Sequence, residues 1–166
     1  FVVSPVQAAE SPSEVGEVDA VILGVKAWQV PQVAESLRPL MGPDSYVMPL
    51  QNGVEASDQL SSVLGSSHVL GGLCYLVTFI VGPGHIKHAG MVPKIIFGEL
   101  DGKPTERADR LLRAFTDAGI GAEVATDIHS AIWEKFIFIA SLSGVGAVTR
   151  VPVGLARTVP ETRRLY

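Results

Sequence analysis

The chain has little charge, a single cysteine and no apolar run of membrane length. Charged residues make up 18% of its 166 residues, and Cys74 is the only cysteine. One cysteine excludes an internal disulfide and fits a reducing compartment, and we assign Cys74 to the core as a small apolar residue. The longest apolar runs, 69–81 and 136–148, have 13 residues each. A membrane helix needs about 20, so we assign both runs to a protein core.

Basic patches are lacking as well, and the formal net charge is -4. No cluster of lysine and arginine is longer than the one in TRRLY, so we expect neither nucleic acid nor a membrane surface as a partner. His85 and His88 are three residues apart in a predicted strand and face opposite sides, so we expect no metal site. The chain begins with Phe1 and ends in a charged, helix-like segment, so we expect an internal piece of a longer protein.

Apolar runs separated by turn residues predict an α/β fold. Residues 20–25 and 46–50 are apolar without alternation, which is typical of strands covered on both faces. Helical spacing follows each run, in residues 30–37 and 55–64, and GPDS ends the first of these helices. Two strand–helix units in succession predict a parallel sheet with right-handed crossovers.

The middle of the chain predicts an antiparallel extension of that sheet. Glycine and proline turns separate apolar segments between residues 69 and 100. KPTERADRLLRAFTDAG is an amphipathic helix with Gly119 at its C-cap, and residues 121–126 form a last strand. Asp127 then caps a long apolar helix that runs to about Val148. This change of pattern predicts one domain over residues 1–126 and a second, helical unit that begins at 127–166.

Two polar residues directly follow the predicted strands. Lys26 comes after the first run and Asn52 after the second. Ligands bind beyond the carboxyl ends of the strands in an open parallel sheet, so we expect both side chains on one binding edge. Each also has a simpler explanation. Asn52 with Gly53 is a common turn pair, and a lysine at a strand end is often only solvated.

Lys135 lies in IWEKFIFIA, where its helical neighbours are all apolar. These neighbours are Ile128, Ala131, Ile132, Phe138, Ile139 and Leu142. An ammonium there must reach solvent, find a partner or lower its pKa, because burying it unpaired is costly. Such a lysine is suited to hydrogen-bond a substrate carbonyl and donate a proton to it. The simpler explanation is a lysine that snorkels to solvent at a domain edge.

Four motifs, in order, resemble the ketopantoate reductase (2-dehydropantoate 2-reductase) family. They are VKAWQ around Lys26, QNGVE around Asn52, GHIKHAG followed by IIFGE, and IWEKF around Lys135. The resemblance implies a Rossmann-like domain with a mostly parallel sheet and an antiparallel extension, followed by the start of an all-helical domain. It also implies a cytoplasmic enzyme of pantothenate and coenzyme A biosynthesis, which reduces ketopantoate to pantoate with NADPH.

The resemblance also implies roles for single residues. Lys26 and Asn52 would contact NADP, and Lys135 would be the proton donor and substrate anchor. The family's glycine-rich phosphate loop and its later helical domain, which carries a further active-site carboxylate, are absent from this chain. Without the helix amino terminus that holds the pyrophosphate, we expect these 166 residues alone neither to bind NADPH well nor to turn over.

The substrate-binding positions depart from the family pattern. Ile139, Ser143 and Val153 stand where family members resembling the best-known type carry asparagines. Ser143 can still donate a hydrogen bond to a substrate, whereas Ile139 cannot. Three hypotheses stay open: a ketopantoate reductase, a paralogous reductase of another 2-keto acid, and a non-catalytic dinucleotide-binding protein. The sequence also leaves open whether the protein forms a homodimer, and NADP rather than NAD rests on the resemblance alone.

Overall fold

The computed structural model describes residues 5–166, and its elements follow the predicted alternation of strands and helices. The strands are β1 (Val18–Leu23), β2 (Met41–Pro49), β3 (Leu70–Tyr75), β4 (Thr78–Gly82), β5 (His85–His88), β6 (Lys94–Glu99) and β7 (Ala122–Val124). The α-helices are α1 (Pro12–Val15), α2 (Val30–Ala34), α3 (Ala56–Leu64), α4 (Glu106–Asp117), α5 (Ile128–Thr149), α6 (Val153–Ala156) and α7 (Pro160–Arg163). Short 3₁₀ helices cover Ala27–Gln29, Glu35–Leu40 and Ser66–His68.

Parallel and antiparallel strand pairs both occur, as predicted. β1 pairs in parallel with β2, and β6 pairs in parallel with β7. β3 pairs with β6 antiparallel, and β4 forms a separate antiparallel hairpin with β5. A parallel bridge between Val47 and Val69 connects β2 to the start of β3. The result is a mixed α/β architecture with the predicted antiparallel extension.

The first crossover differs from its prediction. β1 ends at Leu23, so Gly24 and Val25 lie outside the strand. The helix of this crossover is α-helical only to Ala34 and then tightens into the 3₁₀ helix that contains Pro39, which cannot donate an α-helical hydrogen bond. GPDS lies inside β2 rather than between helix and strand, and the register with β1 shifts at this point.

Two hydrophobic clusters lie on opposite faces of the sheet, and β2 contributes to both. Val47 faces the cluster formed with α2 and α3, while Tyr46 and Met48 face the cluster formed with α4. Successive strand side chains point to opposite faces, so an uninterrupted apolar run is what such a strand requires. The prediction that this strand is covered on both faces is confirmed.

Two glycines allow α5 to begin directly against the sheet. A Cβ on Gly71 of β3 would lie 2.6 Å from Ile128 Cγ1, and a Cβ on Gly98 of β6 would lie 2.5 Å from the Ala125 carbonyl oxygen. Ile128 is fully buried there. Asp127 caps the helix as predicted, because its Oδ1 accepts a hydrogen bond from the Ser130 amide at 3.0 Å.

The apolar runs assigned to the core are only partly buried. In α5, Ile137, Phe138 and Val148 are 65%, 59% and 82% exposed, and most of β4 is exposed as well. The length argument against a membrane span is also wrong for α5. With 22 residues it is long and apolar enough to cross a membrane by length and composition, a test that core helices of soluble proteins also pass.

A buried ion pair joins the end of β6 to the start of α4. The Glu99 carboxylate, 6% exposed, accepts hydrogen bonds from Arg107 Nε at 2.7 Å and Nη2 at 2.5 Å, and from the Thr105 hydroxyl at 2.5 Å. Burial alone would raise the pKa of Glu99, but these hydrogen bonds outweigh it and hold the pKa below its usual value. The Arg107 guanidinium also lies 5.6 Å from the centroid of the Tyr46 ring.

Candidate active site

A cleft of about 740 Å³ opens where β1 and β2 end, between that edge of the sheet and one side of α5. Lys26, Asn52 and Lys135 all line it, so three of the four predicted site residues lie together. Ser143 is exposed on α5 and is not among the residues that line the cleft. The structure therefore brings the strand-end residues and the lysine to one place and leaves Ser143 apart.

Hydrogen bonds tie the two strand ends to each other at the cleft. The Leu23 carbonyl oxygen accepts from the Leu50 amide at 3.2 Å and from the Gln51 Nε2 at 2.7 Å. The Lys26 amide donates to the Gln29 Oε1 at 2.9 Å, which holds the turn after β1. These bonds fix the backbone from which Lys26 and its neighbours project.

The Lys26 and Asn52 side chains are both exposed. Asn52 precedes Gly53, whose φ of 112° is a conformation that favours glycine. The turn-pair explanation is therefore correct for the backbone, and the same turn places Asn52 on the cleft. An exposed ammonium and an exposed amide at this edge are suited to bind a polar ligand.

The Lys135 side chain is only 7% exposed, and it lines the cleft. Within residues 5–166 its ammonium takes part in no ion pair, and the centroid of the Tyr75 ring lies 5.8 Å from its Nζ. Burial lowers the pKa of Lys135, and the neighbouring Cys74 acts weakly in the opposite direction. A lysine whose pKa is lowered gives up its proton more easily, which suits a proton donor.

One part of the cleft wall is apolar. Leu76, Val77, Met91, Phe138, Ile139 and Leu142 line it. Ile139 is thus a wall residue, whereas Val153, which begins α6, is not part of the lining. The described part of the wall favours a small ligand with an apolar portion near Lys135.

Several lining residues were missed from the sequence. Cys74, assigned above to the core, is half-buried and lines the cleft together with Tyr75. Trp28 and Gln51 belong to the lining too, and both stand within the motifs quoted above. For Cys74 and Tyr75 the sequence carries no comparable signal, since it does not show which strand crosses beneath α5.

The described residues offer contacts to a dinucleotide at the sheet edge, but they do not include the usual binding loop for its pyrophosphate. Lys26 and Asn52 lie on the edge of the sheet where Rossmann-like domains bind their cofactors. The sequence contains no G-x-G-x-x-G segment between a strand and a helix, which is the usual holder of the pyrophosphate. This chain can therefore supply contacts to a cofactor but lacks the usual phosphate loop.

Comparisons with known proteins agree with this arrangement. The family model for ketopantoate reductase PanE/ApbA matches residues 1–102. An uncharacterized oxidoreductase, YkpB of Bacillus subtilis, is 35% identical over 146 residues, which cover 87% of this chain and 48% of that protein. The 2-dehydropantoate 2-reductase of Aquifex aeolicus is 26% identical over 148 residues, covering 89% and 48%. The chain thus spans about half the length of the curated relatives it matches.

Solved structures show the same fold. The 2-dehydropantoate 2-reductase from Geobacter metallireducens superposes with a TM-score of 0.92 at 29% identity, over 99% of this chain and 54% of that one. A D-mandelate dehydrogenase solved with NADH and anilino(oxo)acetate has a TM-score of 0.82 at 21% identity, over 93% and 49%. The predicted Rossmann-like fold with a helical start is confirmed.

Proposed function

Because this chain belongs to the ketopantoate reductase PanE/ApbA family of oxidoreductases, we propose that the whole protein reduces a 2-keto acid, with ketopantoate as the first candidate. The observation that carries the proposal is the position of Lys135. Its side chain is 7% exposed, has no ion pair within residues 5–166, and lines the same cleft as Lys26 and Asn52, at the carboxyl ends of two parallel strands. The pathway that follows from this activity is pantothenate and coenzyme A biosynthesis.

In this proposal Lys135 acts as the general acid. Its ammonium donates a hydrogen bond to the keto oxygen and, as negative charge develops there, transfers a proton to that oxygen. The carbonyl carbon gains a hydride and the oxygen gains a proton, so the product is a 2-hydroxy acid and the lysine is left as a neutral amine. Burial already lowers the pKa of Lys135, which makes this proton transfer easier.

The hydride requires a nicotinamide dinucleotide, and we propose NADPH. When bound, this cofactor supplies the hydride to the carbonyl carbon. Lys26 and Asn52 are the residues of this chain that would hold it, since both are exposed on the cofactor edge of the sheet. A D-mandelate dehydrogenase of the same fold was solved with NADH, so NADH is the necessary comparison cofactor.

We further propose that residues beyond this chain complete the site. The relatives are about twice as long, and the exposed apolar side of α5 is a surface that a further helical part would cover, rather than lipid. The 166 residues alone would then be inactive, and the whole protein would act in the cytoplasm, as a monomer or a homodimer. Size-exclusion chromatography with light scattering distinguishes these two assemblies.

The direct test is turnover by the full-length protein. NADPH oxidation, followed by its loss of absorbance, should depend on ketopantoate and should be slower with NADH. Turnover with NADH alone would contradict the cofactor assignment. Tight NADPH binding without turnover of any 2-keto acid would contradict the reaction and favour a non-catalytic dinucleotide-binding protein.

A second candidate is a reductase of a more apolar 2-keto acid. The apolar wall around Lys135, with Ile139 in it and Ser143 outside it, favours this alternative. Loss of one hydrogen bond to a polar substrate costs about 1–3 kcal/mol of binding. A panel that compares ketopantoate with 2-ketoisovalerate and phenylpyruvate separates the two, because only the first carries the side-chain hydroxyl.

A further inference from the structure

Two polar groups beside the cleft lack hydrogen-bond or ion-pair partners within residues 5–166. The Gln51 Oε1 is a fully buried atom, and the Lys135 ammonium ends a side chain that is only 7% exposed. The buried oxygen is costly alone, because an acceptor without a hydrogen bond loses its solvation and gains nothing. One is a donor and the other is an acceptor, so each could satisfy the other.

The orientation of the Gln51 amide is determined by the backbone. Its Nε2 donates to the Leu23 carbonyl oxygen at 2.7 Å, and a carbonyl oxygen can only accept. A flipped amide would place two acceptors against each other. Oε1 therefore points away from the end of β1, and it has no hydrogen-bond donor at that strand end.

Gln51 and Lys135 share a second, small cavity between the end of β2 and α5. Its volume is about 10 Å³, and its remaining lining comes from Asn52, Gly53, Leu73, Ile132, Phe136 and Ile139. This volume is at the lower limit for one water molecule, which needs two to four polar partners. The ammonium and the amide oxygen supply two.

We propose that Gln51 is a positioning residue for Lys135: its Oε1 accepts a hydrogen bond from a water in this cavity, and that water accepts one from the lysine ammonium. The Tyr75 ring, whose centroid lies 5.8 Å from Nζ, would help to hold the ammonium in place. Gln51 would thus keep the ammonium directed to the cleft before substrate binds.

No carboxylate of residues 5–166 lines either cavity. The other titratable groups that face Lys135 are Cys74 and Tyr75 from β3, and Lys26 from the turn after β1. In this proposal the neutral amide oxygen of Gln51, acting through the water, is the acceptor that favours the charged form of Lys135. Its removal should make Lys135 lose its proton at lower pH.

The test compares Gln51→Leu with Gln51→Glu in the full-length protein. Both variants lose the donor to the Leu23 carbonyl oxygen, but only the glutamate keeps an acceptor oxygen. The pKa of Lys135 is measured without substrate, by competitive acetylation at a series of pH values and mass spectrometry. It should fall in Gln51→Leu and rise in Gln51→Glu, and thermal unfolding checks that each variant is folded.

Ser61→Ala is the matched control, because Ser61 Oγ is the other buried side-chain atom without a partner in the described chain, and it lies on α3 outside the cleft. It should leave the pKa of Lys135 unchanged. An unchanged pKa in both Gln51 variants would overturn the proposal.

The consequence for catalysis rests on the proposed function. In Gln51→Leu, kcat should fall roughly ten-fold to a hundred-fold, with the alkaline limb of its pH profile moved to lower pH. A pKa that responds to Gln51 in a protein without keto-acid reduction would leave the positioning role standing and overturn only the function. A kcat that falls without any change in the pH profile would indicate a merely structural residue and overturn the positioning role.

Discussion

The molecule buries two charged side chains almost equally, Glu99 at 6% exposure and Lys135 at 7%, in very different surroundings. Glu99 accepts three hydrogen bonds, two from Arg107 and one from Thr105. Lys135 has an aromatic ring nearby and no ion pair in the described chain. One charge is neutralised within the fold, and the other has no charged partner among residues 5–166.

The pKa values of both groups are lowered, and the same direction has opposite meanings. For the Glu99 carboxyl a lowered pKa means that the fold stabilises its charge, whereas for the Lys135 ammonium it means that the fold disfavours its charge. Burial alone therefore does not distinguish a structural charge from a functional one. The number of partners does, and this difference can be tested.

The largest expected effect is on turnover. Lys135→Ala in the full-length protein should reduce kcat by roughly 10²–10⁴-fold, because the general acid is lost. Its melting temperature should stay the same or rise, since an unpaired buried charge is removed. Lys87→Ala, at an exposed lysine of β5, is the control for the loss of a positive charge. Unchanged turnover in Lys135→Ala would remove the lysine from the mechanism.

The second effect is on stability. Glu99→Ala should lower the free energy of unfolding by about 3 kcal/mol, because Arg107 is left without its partner. Urea unfolding measures this loss, and kcat per folded molecule should be unchanged. Glu123→Ala removes an exposed ion pair with Lys94 and should cost at most about 1 kcal/mol. Equal losses in the two variants would contradict the special status of Glu99.

A third change affects both regions, because Gly98 precedes Glu99 and lies against Ala125, three residues before α5 begins. Gly98→Ala should lower the free energy of unfolding by about 1–3 kcal/mol, since its Cβ would lie 2.5 Å from the Ala125 carbonyl oxygen. Turnover should fall as well, because α5 is displaced with Lys135. Gly144→Ala, with nothing within 4 Å of the added Cβ, should change stability by less than about 1 kcal/mol.

The smallest effects are in the pH dependence of stability, and they have opposite signs. Glu99 stabilises the fold above its ordinary carboxyl pKa of 4.5, and this contribution is lost as the pH falls through the lower pKa of the folded state. Lys135 destabilises the fold at neutral pH, and this cost is relieved as the pH rises from its lowered pKa toward 10.5. Melting temperatures of Glu99→Gln and Lys135→Met, each compared with wild type across pH, measure the two. If the melting temperatures of a variant and of wild type change in parallel with pH, the contribution assigned to that residue is contradicted.

Much of the fold could be predicted from the sequence because its determinants are local. The amphipathic pattern of α4 and the Asp127 cap of α5 depend on neighbouring residues, and both predictions are confirmed. The bounds of β2 were wrong because they depend on a register shift against β1, which no local pattern reveals. Exposure of α5 was wrong because apolar composition does not show which surface is covered.

The candidate site was partly predictable for the same reason. Lys26 and Asn52 could be placed together because strand ends meet at one edge of a sheet, and Lys135 because an apolar helix isolates it. Tyr75 and Cys74 could not be placed, since their position beneath α5 follows from antiparallel pairing of β3 with β6. Only the tertiary structure shows that Tyr75 and Cys74 line the cleft.

Ile128 packs closely against Gly71 and Gly98, so the start of α5 is the point about which any tilt of this helix would occur. Lys135 lies seven residues further, about 10 Å along the axis, while Thr149 lies about 32 Å away. A tilt of about 5° around this point would move the lysine by about 1 Å and the far end by about 3 Å. The helix can therefore follow large displacements at its far end while the acid stays almost in register with the edge of the sheet.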